Sequence, residues 1–134
     1  MALRHSKCLS ADVNAAMDPT FQDVMERKNA SFLNYGVVVT KYTGARGKSS
    51  TSDASAEYVA EVRALLDREN IVWQMGEMGK VDIGGGGTVA MFVANMGVDV
   101  VDLGVPVLSM HAPFETTAKF DVYMCYRAMY EFMK

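Results

Sequence analysis

Residues 98–111 read VDVVDLGVPVLSMH, and this stretch decides the fold class of the 134-residue chain. Its β-branched residues predict a buried strand over Val98–Leu103. A further apolar run, Val105–Leu108, ends shortly before His111. Because α/β proteins build their sites at strand ends, His111 is a candidate metal ligand.

The rest of the chain alternates between strand-like and helix-like segments, which predicts an α/β fold with a largely buried sheet. Further strands are predicted at Lys7–Val13, Val37–Tyr42 and Ile71–Met75. Helices are predicted at Asp53–Glu69, Thr88–Met96 and Lys119–Lys134, with a helical connector at Phe21–Asn29 and a loop at Thr43–Ser52. The helix over Asp53–Glu69 has apolar residues at three- and four-residue spacing, with Ser52 as its expected N-cap.

Composition excludes several classes of function. The net charge is −3 and no basic block is present, which argues against nucleic acid as a partner. No apolar run has the length of a membrane span, so no membrane partner is expected. Cys8 and Cys125 are too few for a disulfide framework, and free thiols fit a cytoplasmic location.

A second candidate ligand, Asp12, follows the strand-like run Lys7–Val13 near its end. An acid and a histidine at strand ends suit a metal-dependent hydrolase. Taken singly, an Asp in this position is more often a turn residue, and a single His is more often structural. Two ligands are also too few to hold a catalytic metal. Glu115, four residues after His111, is a candidate supporting group.

Two glycine-containing segments have more than one interpretation. Gly84–Gly87 precedes a predicted helix, so its backbone N–H groups can bind an anion, or the glycines can allow close backbone packing. The basic segment Gly44–Ser49 lies between a strand and a helix, as a phosphate-binding loop does, but Tyr42 occupies the position of the first glycine. An exposed loop is therefore expected there.

Three segments, taken in order, resemble the aminopeptidase I / aspartyl aminopeptidase family of dinuclear zinc aminopeptidases. They are SADV at 10–13, GKVD at 79–82 with GGGGT at 84–88, and GVPVLSMHAPFE at 104–115. The resemblance implies a layered α/β/α fold with a mixed sheet. It also implies that residues 1–134 form a single domain, the C-terminal part of a catalytic domain, without the N-terminal part and the dimerisation insert.

The resemblance further implies two divalent metal ions, expected to be zinc, in the complete enzyme. Asp12 would bind one metal and His111 the other. Lys41, Gly87 and Thr88 would line the substrate pocket. The other ligands and the general-base glutamate are expected outside this chain, since no acid precedes Asp12.

The implied activity is hydrolysis of N-terminal amino acids from peptides. The expected partners are peptide substrates and either further copies of the chain or the missing part of the catalytic domain. An incomplete sheet should leave an unpaired edge, which predicts self-association. The alternative function is that of a catalytically incomplete module that serves structure or assembly.

Overall fold

The computed structural model describes residues 2–45, 49–80 and 82–134. The strands are β1 (Lys7–Ser10), β2 (Val13–Ala15), β3 (Val37–Thr40), β4 (Tyr42–Ala45), β5 (Ser49–Asp53), β6 (Trp73–Met75), β7 (Gly85–Gly86) and β8 (Asp99–Val107). The helices are α1 (Ala56–Arg68), α2 (Ala90–Ala94) and α3 (Lys119–Phe132), with 3₁₀ turns at Ala2–His5 and Gln22–Val24.

Strand β8 is the central strand of a mixed sheet. The order is β1-β8-β3-β6, and β2 pairs with β8 beyond the end of β1. Strands β1 and β2 are parallel to β8, β3 is antiparallel to β8, and β6 is parallel to β3. The two apolar runs of the opening stretch therefore form one nine-residue strand. The predicted mixed sheet is confirmed.

One face of the sheet is apolar and packs against α1 and α3. Side chains alternate along a strand, so every second residue of β3 and β8 faces these helices. The core residues on this side are Val37, Val39, Val101 and Leu103 from the sheet, Tyr58, Val59, Val62 and Leu66 from α1, and Met124 and Ala128 from α3. Most of the buried hydrophobic residues in the described part of the chain belong to this cluster, and their burial stabilises the fold.

The opposite face is polar where α2 and the segments before and after it cover it. Buried polar residues on this side are Ser10, Asn14, Thr40, Thr88 and Asp102. Helices thus lie on both sides of the sheet, which confirms the predicted α/β/α layering. All four residues of β3 are buried, as expected for a strand covered on both faces.

Several predicted boundaries were wrong. The predicted loop Thr43–Ser52 is, in its described part, an antiparallel pair of strands, β4 and β5. Ser52 therefore lies in a strand, and Ser55 caps α1 by accepting a hydrogen bond from the Tyr58 amide at 3.2 Å. Pairing with β4 outweighs the local capping tendency of Ser52.

The other helical predictions hold to different degrees. The predicted connector helix at Phe21–Asn29 is reduced to the 3₁₀ turn Gln22–Val24, and the predicted Thr88–Met96 helix to Ala90–Ala94. The last helix ends at Phe132, close to its predicted end. Among the described residues, no helix has both the length and the apolar character needed to cross a bilayer.

Candidate functional site

An open pocket of about 540 Å³ lies where α2 meets the sheet. Its size is within the range of small-molecule sites. The lining residues are Asp12, Ser50, Gly87, Thr88, Val89, Met91 and Phe92. The structure thus places Asp12, a predicted metal ligand, beside Gly87 and Thr88, which were predicted to line the substrate pocket.

Asp12 lies in the two-residue connection between β1 and β2. Its side chain accepts a hydrogen bond from the Val13 amide at 2.7 Å, and the residue is exposed. Its backbone passes very close to β8: a Cβ at Gly104 would lie 1.3 Å from the Asp12 carbonyl oxygen. Only glycine at position 104 therefore allows the Asp12 backbone to lie in this place.

The glycine run before α2 has two structural roles. Gly85 and Gly86 form β7 and pair with Ala45 and Gly44 of β4. A Cβ at Gly85 would lie 2.0 Å from the Gly44 carbonyl oxygen, and Gly85 has a φ of +101°. Close backbone packing is thus the role of these two glycines. Gly87, which follows them, reaches the pocket.

Thr88 connects the pocket to the sheet. Its hydroxyl donates to Asp102 Oδ2 at 2.9 Å and accepts from the Ala90 amide at 3.3 Å. The second bond satisfies one of the free N–H groups at the start of α2. Burial raises the pKa of Asp102, and the neighbouring hydroxyl groups of Ser10 and Thr88 act in the opposite direction.

His111 lies in a turn beyond the end of β8. The turn is closed at its base by reciprocal backbone bonds between Leu108 and Thr116. His111 is exposed and has a φ of +67°, in the left-handed region that non-glycine residues seldom adopt. Glu115 holds this conformation by accepting a 2.5 Å bond from the His111 amide. Glu115 therefore acts on the backbone of the turn, while the sequence suggested only a general supporting role.

Lys41 lies between β3 and β4 and forms an ion pair with Asp53 of β5. Within the described part of the chain, the lining of the 540 Å³ pocket includes neither Lys41 nor His111. Their roles in substrate and metal binding remain predictions.

Glu77 lies near the Lys41–Asp53 pair and was not selected from the sequence. Burial raises its pKa to about 7, the Asp53 charge adds to this rise, and the Tyr42 amide and Lys41 oppose it. A strongly raised carboxyl pKa is a property that functional residues often share, and structural residues share it too. The sequence offers no signal for it, because its burial depends on the contacts of the loop after β6.

Comparison with known proteins shows to which family the chain belongs. The sequence model of the aminopeptidase I zinc metalloprotease (M18) family matches residues 1–133. This chain belongs to the M18 family. The resemblance seen in the three sequence segments is therefore confirmed.

Individual M18 proteins resemble the chain closely over its whole length. A probable M18 family aminopeptidase 1 of Clostridium acetobutylicum is 52% identical over 122 residues, which is 91% of this chain and 26% of that protein. The crystal structure of aminopeptidase I from the same organism superposes with a TM-score of 0.94 at 48% identity, covering 99% of this chain and 29% of that one. The aminopeptidase structure from Thermotoga maritima gives a TM-score of 0.95 at 48% identity, with coverages of 98% and 29%.

These matches fix the fold and its extent. The α/β architecture corresponds to part of the catalytic domain of aminopeptidase I structures. The chain spans less than a third of the length of the relatives it matches.

The described residues fit a zinc site only in part. Carboxylate and imidazole, the groups of Asp12 and His111, are both suitable zinc ligands. Catalytic zinc sites have three protein ligands, and no group of three or more His, Cys, Asp or Glu side chains within residues 2–45, 49–80 and 82–134 is arranged to hold a metal ion. The described part of this M18 chain does not complete a metal site by itself.

Proposed function

We propose that this chain contributes part of the active site of a zinc aminopeptidase that releases N-terminal amino acids from peptides. The observation that carries the proposal is the pocket that joins Asp12 to Gly87 and Thr88 in a chain of the M18 family. Peptide substrates, two metal ions and zinc as the metal follow from the same proposal.

In the proposed site each residue has a limited role. Asp12 and His111 would each provide one metal ligand. Gly87 and Thr88 would form the pocket wall, with the Gly87 backbone accessible because no side chain covers it. Lys41 would provide positive charge near the substrate. The general base would come from residues outside this chain.

The remaining ligands would come from another part of the polypeptide or from a second chain. An association of this kind is supported by large apolar side chains exposed around the pocket. They include Val89 and Phe92 at the pocket and Ile83 and Met96 on either side of α2. Exposed apolar patches of this kind typically mark interaction surfaces.

The free thiols Cys8 and Cys125 support a cytoplasmic location.

A structural or assembly module is the second candidate function. The lack of a three-ligand group in the described residues favours it for the chain in isolation. The two functions differ in one measurable respect, since only the first requires Asp12 and His111 for chemistry.

The first test is titration of Zn²⁺ into the metal-free protein by calorimetry, with hydrolysis of aminoacyl-anilides measured in parallel. Tight binding with hydrolysis would mean that a second copy completes the site.

The next test replaces the corresponding segment of the Clostridium acetobutylicum relative with this chain. We expect the chimera to hydrolyse aminoacyl-anilides. Asp12→Asn or His111→Gln should each lower its kcat/KM at least about 100-fold, because each removes a proposed ligand of a catalytic metal ion.

The matched control is His5→Gln, which changes the only other histidine. His5 lies exposed in the first 3₁₀ turn, away from the pocket. This variant should keep full activity. A folded chimera whose activity is unaffected by Asp12→Asn and His111→Gln would overturn the proposal. A folded chimera without activity would favour the structural module.

A further inference from the structure

Three segments that carry candidate site residues converge on one residue of β8. In the sheet, Asp102 pairs with Ser10 of β1 on one side and with Thr40 of β3 on the other. Side chains of paired residues lie on the same face of a sheet. The Thr88 hydroxyl completes the group by its 2.9 Å bond to Asp102 Oδ2.

Each neighbour of Asp102 either is a candidate site residue or lies within two residues of one in the sequence. Ser10 is two residues before Asp12, Thr40 is directly before Lys41, and Thr88 itself lines the pocket. Asn14 extends the cluster by donating to Thr40 Oγ1 at 2.8 Å. Asp102 is 6% exposed and Ser10 4% exposed, so both residues are largely shielded from bulk water.

A buried carboxylate is costly unless it is paired and fully hydrogen-bonded. Desolvation of an acid in a protein interior opposes folding, and an apolar residue would pack there at lower cost. Asp102 Oδ1 and Ser10 Oγ have no hydrogen-bond partner among the described residues. The single hydrogen bond from Thr88 therefore offsets the desolvation cost of Asp102 only in part.

We propose that Asp102 is the positioning residue that holds the Asp12 connection, the end of β3 and the Gly87–Thr88 turn in a fixed relative arrangement. It acts through the Thr88 hydroxyl and through its two paired strands. Any effect of Asp102 on metal or substrate binding rests on the proposed function. The positioning of the three segments can be tested without measuring activity.

The test is hydrogen exchange measured by mass spectrometry on the full chain, in peptides covering residues 82–92 and 10–15. In Asp102→Ala the Thr88 hydroxyl loses its acceptor, and exchange in residues 82–92 should become about 10-fold faster, the effect of losing one charged hydrogen bond. Asp102→Asn keeps an oxygen that can accept from Thr88 and should restore most of the protection. Thr88→Val should resemble Asp102→Ala, and Thr88→Ser should resemble the unsubstituted chain.

Asp121→Ala is the matched control. Asp121 on α3 is a second buried carboxylate among the described residues, and it accepts bonds of 2.7 Å from the amides of Asn34 and Gly36. Its loss should lower the melting temperature without a specific increase in exchange at residues 82–92. At an equal loss of stability, the proposal is wrong if Asp102→Ala increases exchange in residues 82–92 no more than Asp121→Ala does. It is also wrong if the effects of Asp102→Ala and Thr88→Val on exchange simply add in the double variant.

Zn²⁺ titration of the same variants separates this inference from the proposed function. If the unsubstituted chain binds Zn²⁺, Asp102→Ala should weaken binding about 10-fold through displacement of Asp12, and Asp121→Ala should not. Unchanged binding in Asp102→Ala would count against positioning of Asp12. If the unsubstituted chain binds no Zn²⁺, the proposed function fails for the isolated chain, and exchange alone decides the role of Asp102.

Discussion

The two faces of the central sheet use the same strands for different purposes. On the face covered by α1 and α3, Val101 and Leu103 of β8 pack in a continuous apolar core. On the opposite face, Asp102 lies between these two residues in sequence and contacts Thr88 beside the pocket. Alternation of side chains along β8 lets neighbouring residues serve separate functions.

The difference shows where the fold gains stability and where it accommodates a site. Burial of apolar side chains on the first face stabilises the sheet. The second face contains buried polar groups, and within the described part of the chain Ser10 Oγ and Asp102 Oδ1 have no hydrogen-bond partner. Such groups cost stability and are more typical of sites than of cores. Variants on the two faces should therefore affect different properties.

The largest expected effect is on the apolar face. Leu103 is fully buried between α1 and α3. We expect Leu103→Ala to lower the free energy of unfolding by about 3–5 kcal/mol, since it removes apolar contacts and leaves a cavity. Denaturant unfolding measures this loss. Leu3→Ala, at a half-exposed position, is the control, and a loss for Leu103→Ala no larger than for Leu3→Ala would contradict the assignment of the core to this face.

Gly104→Ala tests the boundary between the faces. The new methyl group would collide with the Asp12 carbonyl oxygen. The methyl carbon is fixed to the β8 backbone and the oxygen belongs to the Asp12 backbone, so relief of the collision requires the two strands to move apart. We expect a loss of about 3 kcal/mol in the free energy of unfolding, together with displacement of Asp12. Denaturant unfolding and a crystal structure of the variant measure the two effects.

Gly87→Ala is the matched glycine control, because a Cβ there would meet its nearest atom at 3.5 Å, an ordinary contact distance. It should unfold at nearly the same denaturant concentration as the unsubstituted chain. Equal stability of Gly104→Ala and Gly87→Ala would show that the strands separate easily at Asp12.

The smallest effect concerns pH. The pKa of Glu77 is raised to about 7 in the folded chain, above its ordinary value of 4.5. Between these values the unfolded chain loses the proton and the folded chain keeps it, so the stabilising contribution is complete below about pH 4.5 and is lost as the pH rises through 7.

Glu77→Gln should therefore gain about 1–2 kcal/mol relative to the unsubstituted chain between pH 5 and pH 8, a value reduced for partial solvent screening. Thermal unfolding at a series of pH values measures the difference. Glu57→Gln, at an exposed position of α1, is the control. A pH dependence that is the same in Glu77→Gln and in the unsubstituted chain would show that Glu77 does not titrate in this range.

The sequence predicted the main elements well where the pattern was local. The apolar spacing on α1 and the β-branched runs of β3 and β8 each identify their element without reference to the rest of the chain. The strands β4 and β5 were missed because their residues are small and polar, and only their pairing with each other makes them strands. The same pairing moved the cap of α1 from Ser52 to Ser55.

The candidate site shows the same division. Residue type and position near strand ends were enough to select Asp12 and His111, and the motifs around them were enough to suggest the family. Thr88 was selected only through that resemblance. The importance of Asp102 and Gly104 depends on which strands lie beside β8, and Glu77 becomes notable only through burial. In the sequence, Asp102 was no more than a polar interruption of an apolar run.

The sequence by itself determined the α/β class, the apolar face and the family, because these depend on residue periodicity and on short motifs. The tertiary structure alone decided that Asp12 and Thr88 share a pocket and that Asp102 lies beneath it. Contacts such as that between Ser10 and Asp102, 92 positions apart, follow from strand order and register. The order of the strands in a sheet is not encoded in any local segment.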